Sequence, residues 1–420
     1  MVNPRKIAVK ALLKIENENS YSNLAINSLF NEVQISSQDK AFVTALIYGV
    51  LERKITLDYV ISSHIKTSIK KVSKFTLTVL RVALYQIMFM DKIPQSAAVN
   101  EAVKLIKNSK ENRNSGFVNA VLRNILRSEN LIPNGQSVED LSVIYSCPKE
   151  IIESFINDYG KEDALEFLKA GLEPAPLTLR VNTLKTDVDT FIENIGVDAI
   201  AGEVSGSVIL KNGIDIAKSN LYKQGMFYVQ DTASQKCVAV LNPKPYEKML
   251  DMCAAPGGKS FLSAILMENK GEIISCDLYE HKCKLINDGA DRLGLDIIKP
   301  QVCDATVFNE NLGKFDCILC DVLCSGLGII RRKPEIKYKD FKEFDNLPKL
   351  QLQILNNAKN YLKKGGRILY STCTLRKAEN QEVVDEFLNE NKEFSLKFSH
   401  TFMPHIDNTD GFFCALFEYN

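Results

Sequence analysis

The chain has 420 residues, of which 45% are hydrophobic and 25% charged, proportions typical of a globular protein. No apolar stretch is long enough for a transmembrane helix, and the N-terminus lacks the apolar core of a signal peptide. We therefore expect a cytoplasmic protein with no membrane partner, and we expect its eleven cysteines to be reduced thiols.

Basic and acidic residues balance at 52 each, but they are segregated along the chain. Residues 1–130 hold 19 Lys and Arg against 10 Asp and Glu, a balance of +9, and residues 131–420 carry the opposite balance of −9. Such segregation favours contact between the basic segment and a polyanion. A helical domain with solvated lysines would give the same counts, so charge alone leaves both interpretations open.

Residues 1–130 show helical periodicity throughout, with Asn3 and Pro4 placed to begin the first helix. We predict an all-α bundle here. Its basic residues form two groups that could bind phosphates. These are Arg53, Lys54, Lys66, Lys70, Lys71 and Lys74, and later Arg113, Arg123 and Arg127.

The remainder of the chain changes character twice. Residues 131–173 predict a helical linker region, and residues 174–235 predict a small α+β module. From residue 236 to 420, strands and helices alternate, which predicts a Rossmann-like α/β domain with a mostly parallel sheet. Its strand candidates are 248–251, 272–277, 297–303, 315–321, 366–372 and 412–418.

A small-residue turn follows the first of these strands. It comprises Cys253, Ala254, Ala255, Pro256, Gly257, Gly258 and Lys259, and an apolar helix pattern begins directly after it. Small side chains let a ligand approach the main chain, and a helix start presents unpaired N–H groups. The turn lacks the spacing of a phosphate-binding P-loop, which disfavours a nucleoside triphosphate. A tight turn that binds nothing would look similar.

Four carboxylates end or follow the predicted strands, namely Asp251, Asp277, Asp304 and Asp321. Asp277 lies about where an acidic residue would bind ribose hydroxyls. An acid-rich edge suits a ribose-bearing cofactor with a cationic end, such as S-adenosyl-L-methionine. NAD is the competing cofactor, but its pyrophosphate favours fewer carboxylates and a Gly-x-Gly-x-x-Gly spacing that is absent here.

Two cysteines follow strands that we expect to be neighbours: Cys324 after the fourth strand and Cys373 after the fifth. Thiolate addition to carbon 6 of a pyrimidine makes carbon 5 able to accept a methyl group, and a base must then remove the hydrogen from carbon 5. A cysteine nucleophile beside an acid such as Asp321 suits this chemistry, with the second cysteine serving the elimination. Spacing alone does not rank the two cysteines.

With these residues the chain resembles the NOL1/NOP2/Sun family of RNA cytosine-5 methyltransferases, and within it the bacterial enzymes acting on 16S ribosomal RNA. The resemblance covers nearly the whole chain, because the front resembles a NusB-like RNA-binding domain. It also implies that the α+β module of residues 174–235 binds RNA. The motifs that carry it are 179–182, 230–235, 253–259, 321–326, 331–337, 371–373 and 410–413.

The resemblance implies methylation of carbon 5 of a cytosine through a covalent cysteine–cytosine intermediate, with 16S ribosomal RNA as partner and S-adenosyl-L-methionine as cofactor. It implies no metal, and we expect a monomer. Cys373 would be the nucleophile, and Cys324 would assist product release.

The resemblance also implies roles for the cofactor-binding residues. Residues 253–259 would form the cofactor loop, and Asp277 would hold the ribose hydroxyls. Asp304 would hold the adenine edge, and Asp321 the methionine end and the cytosine. Leu323 stands where the family usually has proline, so the loop before Cys324 lacks the stiffening that proline would give.

Basic side chains are the expected RNA contacts. Arg331, Arg332 and Lys333 follow the Cys324 loop, and either contact RNA phosphates or form a solvated loop. Lys70, Lys71 and Arg123 are the candidates in the helical front. Two rival interpretations are a non-catalytic RNA-binding factor with a methyltransferase fold and a small-molecule methyltransferase, and the charge of +9 in residues 1–130 argues against the second.

Overall fold

The computed structural model describes residues 3–18, 22–33 and 35–420. The chain divides into two compact units. The helical unit comprises Met1–Leu172 and Ile330–Lys339, and the sheet unit comprises Glu173–Ile329 and Asp340–Asn420. The four-part domain division drawn from the sequence stays a prediction.

In the helical unit, the helices between residues 4 and 125 bury apolar side chains in a shared core. The predicted start of the first helix is confirmed, since Asn3 Oδ1 accepts the N–H of Arg5. Ser36 Oγ caps a later helix in the same way by accepting the N–H of Asp39. The helices are α1 (Pro4–Glu18), α2 (Ser22–Glu32), α3 (Ser37–Glu52), α4 (Lys54–Ser63), α5 (Lys74–Phe89), α6 (Gln95–Lys107), α7 (Ser115–Ile125), α8 (Val138–Ile144), α9 (Lys149–Tyr159) and α10 (Lys161–Ala170).

The sheet unit begins with a small antiparallel sheet of strand order β2-β3-β1-β4. Strand β2 was not predicted, because it is only three residues long and two of them are exposed. The elements are β1 (Leu177–Val181), α11 (Val188–Asn194), β2 (Ala199–Ala201), β3 (Ser207–Leu210), α12 (Asn220–Lys223) and β4 (Phe227–Val229).

A larger sheet follows, with the strand order β10-β11-β9-β8-β5-β6-β7. Strands β5 to β9 pair in parallel, whereas β11 pairs antiparallel with β9 and β10 antiparallel with β11. The elements are α13 (Thr232–Leu241), β5 (Lys248–Asp251), α14 (Gly258–Leu266), β6 (Glu272–Asp277), α15 (Glu280–Leu293), β7 (Ile298–Val302), β8 (Phe315–Asp321), α16 (Leu347–Ala358), β9 (Leu362–Thr372), α17 (Gln381–Glu390), β10 (Phe394–Phe402), α18 (Pro404–Asp407) and β11 (Phe412–Tyr419).

This architecture confirms the predicted Rossmann-like fold, with differences at its far edge. Strand β10 was not predicted, because it is the edge strand and most of its side chains are exposed, so it lacks an alternating apolar pattern. Strand β9 begins at Leu362, before the start of the predicted strand 366–372. Among the described residues, no helix is long and apolar enough to cross a membrane.

The segment Ile330–Lys339 packs within the helical unit although sheet-unit chain flanks it on both sides. The buried ammonium of Lys337 donates to the carbonyls of Glu52, at 3.0 Å, and Ser146, at 2.8 Å. The Tyr338 hydroxyl donates to the carbonyl of Leu51 at 2.6 Å. The segment is therefore held by buried polar bonds.

Lys337→Met keeps the length of the side chain but removes the charged donor from two buried carbonyls. Because hydrogen bonds to charged groups contribute more than neutral ones, we expect the helical unit to lose about 2 kcal/mol of unfolding free energy. Urea denaturation of the full chain, with hydrogen exchange of α3 measured by mass spectrometry, checks this. Lys339→Met, at an exposed position two residues away, is the control. Equal stability of the two variants would contradict the prediction.

Candidate active site

Four carboxylates meet at one edge of the large sheet. Asp321, Asp251 and Asp277 end β8, β5 and β6, and Asp304 lies two residues beyond the end of β7. These four strands are consecutive in the order β8-β5-β6-β7, so their carboxyl ends form one continuous row. Asp251 and Asp277 are buried, Asp321 is half-buried and Asp304 is exposed.

The turn between β5 and α14 is a tight backbone loop. Gly257 has φ of +109°, and a Cβ there would lie 2.4 Å from the Phe261 ring, so only glycine fits. Two side chains that sequence reasoning did not single out hold the start of α14. The Tyr228 hydroxyl and the Gln230 amide both donate to the carbonyl of Gly258 at 3.1 Å. The motif 230–235 includes Gln230 but not Tyr228.

An open cavity of about 590 Å³ adjoins the end of β7, lined by Asp304, Val307 and Phe308 among others. Phe308 stacks on Tyr361 with their ring centroids 5.0 Å apart. Asp304 Oδ1 accepts the N–H and hydroxyl of Thr306, and these bonds hold the pKa of Asp304 below its usual value. The Asp304 carboxylate and the Phe308 ring therefore line the same cavity.

The two candidate cysteines lie side by side. Their sulfurs are 3.1 Å apart, and the backbone N–H of Cys373 donates to the sulfur of Cys324 at 3.3 Å. The parallel pairing of β8 with β9 produces this closeness, because it sets Asp321 opposite Ser371, just before each cysteine loop. The expectation that these strands are neighbours is confirmed.

Burial and hydrogen bonding make Cys324 a thiol at neutral pH. Its hydrogen bond with Cys373, followed by burial, raises the pKa of Cys324 well above the usual value of a cysteine. A thiolate formed there would be a strong base.

Asp321 is held from both sides. Its Oδ2 lies 2.7 Å from the ammonium of Lys259, and its Oδ1 accepts the Ser371 hydroxyl at 2.8 Å. Burial alone would lower the pKa of Lys259, but the charge of Asp321 and its hydrogen bond to Lys259 oppose burial, and the pKa is raised. Lys259 is therefore a charged group, and its ammonium also lies 4.9 Å from the centroid of the Phe412 ring.

Hydrogen bonds hold the loop around Leu323, where the family usually has proline. The exposed Leu323 has its carbonyl bound by the Gln351 amide at 3.0 Å. On the other side of Cys324, the backbone N–H of Ser325 donates to the Glu379 carboxylate at 2.9 Å. The loop is thus fixed on both sides of Cys324 without proline.

The basic candidates lie in the helical unit. Lys70, Lys71 and Arg123 are exposed on it. Arg331, Arg332 and Lys333 are half-buried in the Ile330–Lys339 segment, so less of their surface is open to RNA than a solvated loop would offer.

Asp251 is a fully buried acid at the centre of the carboxylate row. Its Oδ2 accepts the Ser260 hydroxyl at 2.7 Å, and Ser260 in turn bonds Ser275 at 2.8 Å. Burial, with a further contribution from Asp321, raises the pKa of Asp251 to about 7.

Asp251→Asn should change how stability depends on pH. With a folded pKa of about 7, above the unfolded value of 3.8, the folded state binds more protons between these pH values, so Asp251 lowers stability as pH rises through that window. The free energy of unfolding of the wild type minus that of the variant should fall by at most about 1.4 kcal/mol for each unit that pH rises in this window. The difference should level off above pH 7. Urea denaturation from pH 4 to 8 measures it. The exposed Asp288→Asn is the control, and a flat or rising difference would contradict the prediction.

Three family descriptions match the chain. They are the NusB family over residues 2–127, the RsmF/B-like ferredoxin-like domain over residues 147–243, and the 16S rRNA methyltransferase RsmB/F over residues 238–418. Together they confirm the predicted NusB-like front and methyltransferase domain.

Similar proteins match over the full length. The chain is 37% identical to the probable ribosomal RNA small subunit methyltransferase B of Bacillus subtilis (strain 168), covering 98% of each. It is 32% identical to that of Synechocystis sp. (strain ATCC 27184 / PCC 6803 / Kazusa), covering 99% of each. The crystal structure of PH0851 superposes with a TM-score of 0.84 at 27% identity, over 100% of this chain and 99% of that one. The chain therefore belongs to the family of ribosomal RNA small subunit methyltransferases B.

Proposed function

We propose that the chain methylates carbon 5 of a cytosine in 16S ribosomal RNA, using S-adenosyl-L-methionine and a covalent Cys373–cytosine intermediate. The observation that carries this proposal is the pair of sulfurs 3.1 Å apart, placed by adjacent strands next to Asp321 and its partner Lys259. A nucleophile, a second thiol and a proton-sharing acid are then within one cleft.

The residues present fit the proposed cofactor. A row of four carboxylates suits a ligand that carries an ammonium, a sulfonium and a ribose diol. Residues 253–259 would border it, with Asp277 at the ribose, Asp304 and the adjoining cavity at the adenine, and Asp321 at the methionine end. When bound, S-adenosyl-L-methionine supplies an electrophilic methyl group.

In the first step the Cys373 thiol gives up its proton to solvent, and its sulfur forms a bond to carbon 6 of the cytosine. The electron pair of the C5–C6 double bond shifts into the ring, so carbon 5 becomes nucleophilic. The pair of Lys259 and Asp321 engages ring nitrogen 3 and stabilises the charge that develops there. Ser371 keeps the Asp321 carboxyl oriented through its own hydrogen bond.

The release step uses the other sulfur. Once carbon 5 carries the methyl group, its hydrogen must leave as a proton so that the C5–C6 double bond re-forms and the C6–S bond breaks. Cys324, a thiol 3.1 Å from Cys373, donates its proton to the departing sulfur. The Cys324 thiolate so formed is a strong base and takes the proton from carbon 5.

Alanine at each cysteine separates these roles. Cys373→Ala should abolish methyl transfer, because no bond to carbon 6 forms. Cys324→Ala should leave a protein–RNA adduct that resists denaturant, because release stalls. A radiolabelled methyl-transfer assay and denaturing gels measure both outcomes, with the buried Cys147→Ala of the helical unit as control. Methyl transfer by Cys373→Ala would refute the mechanism, and cofactor binding by the wild-type protein without turnover on ribosomal RNA would favour a non-catalytic factor.

The helical unit supplies a basic surface for the RNA. The two groups of basic residues predicted from the sequence lie on neighbouring segments, since His64 bonds Ser128 at 3.0 Å and Thr76 donates to Glu111 at 2.5 Å. The members that are exposed are Lys66, Lys70, Lys71, Lys74, Arg113, Arg123 and Arg127. Such a surface suits contact with phosphates that reads no sequence.

Replacing Lys70, Lys71 and Arg123 by Gln should weaken RNA binding most at low salt. Removing three phosphate contacts should reduce the slope of log affinity against log salt by about 2 to 3. Filter binding to a 16S ribosomal RNA fragment measures the slope. The control replaces three exposed lysines of the sheet unit, Lys364, Lys392 and Lys397. RNA binding that is weak and independent of salt in the wild type would instead favour a small-molecule methyltransferase.

A further inference from the structure

Glu379 is a completely buried acid with no place in the chemistry described above. Its Oε2 accepts the backbone N–H of Ser325 at 2.9 Å and the amide of Gln351 at 3.0 Å. Its Oε1 accepts the guanidinium of Arg376 at 3.3 Å. Enclosing a carboxyl is costly unless donors surround it, and here three donors do so.

Two of these donors belong to the segments that carry the two cysteines. Ser325 directly follows Cys324, and Arg376 lies three residues beyond Cys373. Gln351, on α16, also donates to the carbonyl of Leu323. Glu379 and Gln351 therefore fix the backbone immediately before and after Cys324.

A second contact ties the two cysteine loops to each other. The hydroxyls of Ser325 and Thr374 lie 2.7 Å apart, both buried. The carbonyl of Thr374 accepts the amide of Asn380, the residue after Glu379. Both cysteine loops are therefore hydrogen-bonded to the same short stretch of chain before α17, residues 379 and 380.

We propose that Glu379 is a positioning residue that sets the separation between the sulfurs of Cys324 and Cys373. Its effect on catalysis rests on the proposed function, because proton exchange between the two sulfurs requires them to stay in contact. Its effect on the sulfur separation does not depend on any activity.

Glu379→Gln tests this with little change of shape. The variant amide has one acceptor oxygen, so its NH₂ group must face either Arg376 or the donors Ser325 and Gln351, and one set of contacts is lost. Glu379→Ala removes all of them. Glu382→Gln is the matched control, because it removes one carboxylate at an exposed position three residues away.

The first measurement reports geometry alone. Diamide oxidises two nearby thiols to a disulfide, and its azo bond takes up both hydrogens and becomes a hydrazine. We expect Cys324–Cys373 disulfide formation in the full-length protein to slow at least tenfold in Glu379→Gln and Glu379→Ala, and to be unchanged in Glu382→Gln. Peptide mass spectrometry without reductant measures the rate. Wild-type rates in both Glu379 variants would overturn the proposal.

A second variant, on the other side of the Cys324 loop, distinguishes loss of these contacts from misfolding. Gln351→Met has nearly the same volume and removes the donor to the Leu323 carbonyl, so it should slow disulfide formation in the same direction. Thermal midpoints and cofactor affinity within twofold of wild type establish that each variant is folded. If folded Glu379→Gln and Gln351→Met both react like wild type, Glu379 has a structural role only.

The second measurement tests the catalytic consequence. Glu379→Gln should slow multiple-turnover methylation at least tenfold and accumulate the same RNA adduct as Cys324→Ala, while single-turnover methyl transfer changes less than threefold. A merely structural role would slow both phases together. If Cys324→Ala forms no adduct, the proposed release step is wrong, and the disulfide rates still decide whether Glu379 sets the sulfur separation.

Discussion

The arrangement of the site depends on the parallel pairing of β8 with β9. This pairing sets Asp321 opposite Ser371, so the two chains leave the sheet at the same level and carry Cys324 and Cys373 into contact. A register shift of one residue would turn each of these side chains to the other face of the sheet. The closeness of the two cysteines is therefore a consequence of strand register, and the loops beyond the strands adjust their final positions.

Buried polar groups, rather than apolar packing, fix the loops that carry the two cysteines. Glu379, Gln351 and the two hydroxyls at 325 and 374 are enclosed, and each bonds to backbone or to another side chain. Buried polar networks specify one geometry because any displacement leaves a donor or acceptor unpaired. The raised pKa of Cys324 follows from the same enclosure, because its hydrogen bond with Cys373 and its burial both disfavour the thiolate.

The sequence predicted the features that depend on residues close together in the chain. The strands that end in Asp251, Asp277 and Asp321 have the predicted bounds, because central strands are continuous apolar runs closed by a polar residue. The sequence did not reveal the edge strand β10, because most of its side chains are exposed and leave no apolar alternation. The bonds from Tyr228 and Gln230 to Gly258 were missed because they join residues far apart in the chain. The network at Glu379 was missed for the same reason.

The segment Ile330–Lys339 has a consequence for how the chain is made. It belongs to the helical unit, yet it is synthesised more than 150 residues after the last helix of that unit, α10. The cavity that receives the Lys337 ammonium, bounded by the carbonyls of Glu52 and Ser146, stays incomplete during translation until this late stretch emerges. The N-terminal bundle therefore completes its own interior only after much of the second unit exists, which couples the folding order of two units that would otherwise mature one after the other.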